Sequence, residues 1–160
     1  MLFLIHQIYY TASENLSTQE IILLFMFIII VLCNRRKYPG IPPLYSVFLI
    51  LYITLLRRAP GYSENIRIGL KLWSDVGVWA GNLLNLILYV PYGATSWQWK
   101  REGKKIVAAG FVLSVFCEML QYLTKRGMAD VNDVLFNTLG AAVGVCICLL
   151  YTSDAADDLI

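Results

Sequence analysis

Long apolar stretches alternate with short charged ones along this chain, and such a chain has few ways to satisfy its backbone. Residues Thr18 to Cys33, dominated by IILLFMFIIIVLC, form the first stretch, and Pro42 to Leu56 the second, closed by Arg57 and Arg58. Trp79 to Trp97, Ile106 to Thr124 and Val134 to Tyr151 follow. A bilayer core asks for ~17–25 apolar residues per helix. It also asks that backbone polar groups be paired within the segment, which a helix achieves. The expected fold is all-α: an integral membrane protein whose roughly five transmembrane helices form one bundle over residues 18–151.

Composition agrees. The chain is 58% apolar and 15% charged, against roughly 45–50% and about 25% in soluble domains. Its net charge of +2 is not gathered into a basic stripe interleaved with aromatics, so no nucleic-acid partner is expected. Cys33, Cys117, Cys146 and Cys148 all lie in apolar runs and read as small buried hydrophobes. His6 is the single histidine, so no metal and no cofactor is expected. MLFLIHQIYY lacks a basic start and a small-residue cleavage site, so residues 1–17 read as an interfacial segment or the end of a longer one, not a cleaved leader. Residues 152–160, YTSDAADDLI less its tyrosine, turn abruptly acidic and resemble read-through beyond the domain. Residues 59–78, opening on Pro60-Gly61 and carrying Arg67, Lys71 and Asp75, read as a surface loop with an amphipathic helix.

Orientation follows from the basic residues. With the first loop inside, Arg35, Arg36, Lys37, Lys100, Arg101, Lys104 and Lys105 are cytoplasmic, and Arg57, Arg58, Arg67, Lys71, Lys125 and Arg126 are outside. The inner set is packed into two very short loops, which favours an outside amino terminus and a cytoplasmic carboxyl terminus.

On that topology the strongest polar groups converge in one half of the bilayer. Arg57 ends the second span, Asn82 and Asn85 begin the third, and Glu118 and Gln121 lie late in the fourth. Arg126, Asp130 and Asp133 follow in the next loop, with Asn137 one turn into the fifth span. Glu118, Gln121 and Lys125 recur at i, i+3 and i+7, and Asp133 with Asn137 at i, i+4, so two polar stripes face each other across a short hairpin. The spacing predicts a polar cup opening outward, with Arg126 or Arg57 available to a carboxylate. Structural readings stand beside it. Asp130 suits a helix start, Asn82 and Asn85 suit interhelical hydrogen bonding, and Lys125 suits a snorkelling end residue. Glu118 is the group least readily explained by structure alone, because an ionisable residue that deep is costly. Pro91 is expected to kink the third span. Gly77 with Gly81 and Gly140 with Gly144 have the spacing that lets helices approach closely, the latter pair closing the hairpin between the fourth and fifth spans.

These motifs resemble the VanZ-like family of bacterial membrane proteins, which is associated with resistance to the glycopeptide teicoplanin. The matching residues are Arg57, Asn85 and Pro91-Tyr92-Gly93 in NLILYVPYG, Glu118 and Gln121 in CEMLQYL, and Arg126, Gly127, Asp130, Asp133, Asn137, Gly140 and Gly144 in RGMADVNDVLFNTLGAAVG. They cover about Leu51 to Leu150. Two departures are Ala129, where the family usually has a bulky aromatic, and Asn132, where it often has an acidic residue. The resemblance implies a multi-pass protein of the bacterial plasma membrane and cell envelope.

Three functions fit. In the first, the outward cup changes how a lipid-linked cell-wall precursor or an acylated glycopeptide is handled at the outer leaflet, with membrane lipid as the immediate partner. In the second, an intramembrane hydrolase or transferase uses Glu118, Asp130 and Asp133 as acid and base, with Arg126 holding an anionic substrate. No serine or cysteine nucleophile beside a base supports it. In the third, transport, the chain lacks the internal repeat that such folds commonly show.

Overall fold

The computed structural model describes residues 18–34, 37–56, 61, 66–69 and 76–157. Five helices account for almost all of them: α1 (Thr18–Asn34), α2 (Ile41–Leu51), α3 (Val76–Lys100), α4 (Gly103–Leu123) and α5 (Val131–Asp157). α2 continues into one π-helical turn, Tyr52–Leu56. Two two-residue strands, β1 (Ile66–Arg67) and β2 (Ala129–Asp130), pair in parallel with Ile66 opposite Ala129 and Arg67 opposite Asp130. The expected amphipathic helix in residues 59–78 falls largely outside the described residues, as do Arg57 and the segment 1–17.

Local chemistry sets the helix ends. Pro42 and Pro43 occupy the first turn of α2, where no intrahelical N–H is required. α3 runs on through Pro91. α4 closes with Lys125 in the left-handed region (φ 54°), so that the Lys125 and Arg126 N–H groups return to the Tyr122 and Gln121 carbonyls at 3.1 and 3.0 Å. That is a Schellman closure with lysine where glycine is usual. It takes Lys125 off the helix and out of the stripe expected with Glu118 and Gln121.

α3 and α5 form the centre of the bundle and run parallel, with Leu86 beside Gly140 and Val90 beside Gly144. A Cβ on Gly140 would collide with the Leu86 carbonyl oxygen, one on Gly144 with that of Val90, and one on Gly93 with that of Ala141. The glycines of α5 thus admit α3, and not α4 as the hairpin reading expected. α4 instead reaches α5 through Gly110, where an added Cβ would lie 3.0 Å from the Ala141 Cβ. Among the described residues Gly81 has nothing within 4 Å of the same position, so no close helix contact is made at that glycine. α2 packs on α3, joined by Ser46 Oγ and Thr95 Oγ1 at 3.3 Å, and α1 lies outermost against α2, with the Tyr45 hydroxyl donating to the Leu23 carbonyl.

The distribution of polarity is inverted relative to a soluble domain. Ser46, Asn82, Thr95, Ser114, Glu118, Gln121, Asn132 and Asn137 are buried, while Phe25, Leu32, Val112, Leu123, Ile147 and Leu150 are exposed. α4 and the part of α5 up to Tyr151 are each long and apolar enough to cross a membrane, yet only 33% and 28% of their most apolar windows is buried. Soluble core helices of that character are mostly buried, so the uncovered apolar surface is suited to lipid. α1 and α2 with its π turn are apolar but shorter, and α3 is long but diluted by Asn82, Asn85, Ser96 and Gln98. The cysteines divide: Cys117 is buried, Cys148 half-buried, and Cys146 exposed on the apolar surface, against the expectation of burial.

Candidate functional site

Four elements meet at one end of the bundle: the π turn after α2, the last turns of α4, the strand pair, and the first turn of α5. The end of a helix leaves carbonyls without intrahelical donors. Here the Thr54 carbonyl receives Gln121 Nε2 at 3.1 Å and the Leu55 carbonyl receives Arg126 Nη1 at 3.0 Å. Gln121 and Arg126 therefore cap α2, and the guanidinium carries positive charge to a helix C-terminus, where it is favoured. Gly127 lies close beside them, where an added Cβ would stand 2.9 Å from the Gln121 Oε1 atom and displace that side chain.

Glu118 and Asp130 are each 7% exposed. Glu118 Oε2 accepts the backbone N–H of Asp130 at 3.0 Å. Asp130 Oδ1 in turn accepts the backbone N–H of Asn132 at 2.9 Å and its Nδ2 at 2.8 Å. The first of these is an N-cap bond, so Asp130 starts α5 as the structural reading expected. Asn132 Nδ2 also reaches the Gly69 carbonyl at 3.4 Å, tying the segment around β1 to the same network. Carboxylates are seldom this buried unless their lone pairs are taken up. Among the described residues, two backbone N–H groups and the Asn132 amide supply such donors.

One turn deeper, Asn137 Nδ2 donates to Ser114 Oγ at 2.8 Å, so Asn137 faces α4 at Ser114 and not at Glu118. Among the described residues its buried Oδ1 finds no hydrogen-bond partner, and Tyr89 is buried beside Ser114 and Cys117. Asp133 is half-buried on the first turn of α5. Asn82 is buried, its Nδ2 without a partner among the described residues, and Asn85 is half-buried. Because α3 and α5 run parallel, both lie near the level of the first turns of α5.

Glu118, Asp130 and Asn132 thus form one hydrogen-bonded network, Gln121 and Arg126 cap α2 at the same end of the bundle, and Asp133, Asn137, Asn82 and Asn85 lie on the first turns of α5 and α3. Arg57 lies outside the described residues. Sequence reasoning missed Ser114, Asn132 and the Thr54 and Leu55 carbonyls. Ser114 was within reach, since Ser114, Glu118 and Gln121 recur at i, i+4 and i+7. The carbonyls have no sequence signature.

A helical bundle with an apolar exterior, an interior that mixes an apolar core with buried polar side chains, and one end closed by buried carboxylates defines an α-helical membrane protein. The chain belongs to the VanZ/LLP1 family, whose model matches residues 3–152. That match begins far ahead of the motifs in residues 51–150 and stops where the acidic tail begins. No curated protein and no solved structure matches the chain.

Proposed function

We propose that this protein is a multi-pass component of the bacterial plasma membrane whose polar end faces outward and binds the polar part of an amphiphile at the outer leaflet. The amphiphile is a lipid-linked cell-wall precursor or an acylated glycopeptide such as teicoplanin. The observation that carries the reading is the buried hydrogen-bonded network of Glu118, Asp130 and Asn132, beside Gln121 and Arg126 at one end of the bundle. Burying carboxylates is costly, and their presence at the place where the family's motifs converge supports a binding role. On the basic-loop rule, this end is outside and Lys100 to Lys105 cytoplasmic.

A teicoplanin-type drug anchors in the membrane by its acyl chain and vancomycin does not. A membrane protein can separate the two without altering the wall target both drugs share. Expression in a sensitive Gram-positive host is expected to raise tolerance to teicoplanin and leave vancomycin susceptibility unchanged. Equal shifts for both drugs would remove the basis of the proposal.

A further inference from the structure

The other end of the bundle carries a feature that the polar network does not use. A furrow of about 400 Å³ opens between α2 and α4, with α3 as its floor. Ala109 and Lys105 on α4 lie nine and thirteen residues before Glu118, so the furrow is about 15–20 Å from it along the axis at 1.5 Å per residue. Pro43, Leu44 and Val47 form one wall, and Ile106 and Ala109 the other. Leu44 is 65% exposed and Ala109 is exposed too, so the furrow opens sideways onto the surface suited to lipid. Tyr92 and Ser96 lie along the floor, with the Tyr92 hydroxyl donating to the Ile106 carbonyl.

The mouth differs in character from the walls. Trp99, Lys100, Glu102 and Lys105 line it. Trp99 is 43% exposed, at the helix end where indole rings favour the headgroup level. Lys100 Nζ stands 4.3 Å from the centre of the Trp99 ring, which places the ammonium at the furrow's edge. Lys105 pairs with Glu102 at 2.5 Å, and that hydrogen bond and charge hold the Glu102 carboxyl below its ordinary range. The carboxylate therefore stays charged, yet Lys100, Arg101, Lys104 and Lys105 outnumber it four to one. α4 also begins here, and the Glu102 side chain does not cap it, so the positive end of the helix faces the same mouth.

We propose that the furrow holds one anionic phospholipid, one of its acyl chains along Leu44, Val47, Ile106 and Ala109 and its phosphate at Lys100 and Lys105. Charge complementarity selects this occupant: a second protein copy would have no need of a cationic mouth above a lateral apolar slot, and a neutral lipid would leave the lysines unused. Lysine supplies three donors, so Lys105 contacts a phosphate without leaving Glu102. This site is independent of the polar end.

The test is native mass spectrometry of the full chain released from detergent with equal amounts of dioleoyl phosphatidylglycerol and dioleoyl phosphatidylcholine. Basic residues near anionic lipid contribute about fivefold each, so the wild type is expected to retain the anionic lipid roughly five- to twentyfold over the neutral one. K100Q/K105Q is expected to bring that ratio near one. Ala109→Phe, a change at an exposed position that fills the slot, is expected to strip the bound lipid while the helical circular dichroism is unchanged. Equal retention of the two lipids by the wild type would overturn the proposal. So would an intact preference in either variant, or a lipid-free dimer in place of a lipid adduct.

Discussion

Gly140→Ala tests the central helix contact, and its sign follows from two opposing terms. Replacing glycine by alanine inside a helix gains ~1 kcal/mol of helix propensity. Against that gain, the new methyl would occupy the place of the Leu86 carbonyl oxygen. A backbone oxygen cannot swing aside as a flexible side chain can, so α3 and α5 must separate. Overpacking costs ~1–3 kcal/mol, and a collision with backbone belongs at the upper end, ~2–3 kcal/mol. Separation also loosens neighbouring contacts at Gly93 and Gly144, and between membrane helices close packing is a principal source of association. The expected net effect is a loss of ~1–2 kcal/mol, larger for Gly140→Leu. Gly81→Ala is the internal control: it lies in α3 with nothing among the described residues within 4 Å of the added atom, so the propensity gain of ~0.5–1 kcal/mol is retained. Unfolding by sodium dodecyl sulfate in mixed micelles, followed by far-ultraviolet circular dichroism, separates the two variants by roughly 2 kcal/mol. A Gly140→Ala protein as stable as wild type, or a Gly81→Ala protein equally damaged, would refute the α3–α5 geometry.

Arg126→Ala removes the donor to the Leu55 carbonyl and is expected to cost ~1.5–3 kcal/mol in the same assay, with Arg126→Lys recovering part of it. Asp130→Ala removes the cap of α5 and is expected to cost ~1–2 kcal/mol, while Asp130→Asn, which keeps an acceptor for the Asn132 N–H, stays within a few tenths. Orientation is read by Glu102→Cys in a background without other cysteines: a membrane-impermeant maleimide is expected to label it only after the cells are permeabilised, and labelling of intact cells would reverse the topology.

The helices were legible because hydropathy alone marks them. Expected spans at Thr18–Cys33, Pro42–Leu56 and Ile106–Thr124 fall within about three residues of the observed helices at each end. The expected span Trp79–Trp97 likewise lies within three residues of α3 at each end, and the one larger overrun is at the end of α5, where the segment after Tyr151 stays helical beyond the apolar run that a hydropathy reading detects. The polar face of α4 was legible from period, and burial of Glu118 and Gln121 follows it. Partner choice was not. A small-xxx-small spacing says that some helix comes close to Gly140 and Gly144, and nothing local says it is α3. The strand pair was also hidden: two residues are too few for an alternation, and the pairing joins Ile66 to Ala129 across the sequence. Lys125 misled because a left-handed lysine closes α4 in a position where glycine is the usual signal.

The most direct measurement compares teicoplanin and vancomycin susceptibility of a sensitive Gram-positive host carrying the wild-type chain or Asp133→Asn, at matched abundance in the membrane. Asparagine preserves shape and polarity at the first turn of α5 and removes the charge. The account predicts selective teicoplanin tolerance with the wild type and its loss with the variant. Tolerance unchanged by Asp133→Asn would contradict a role for the charged polar end.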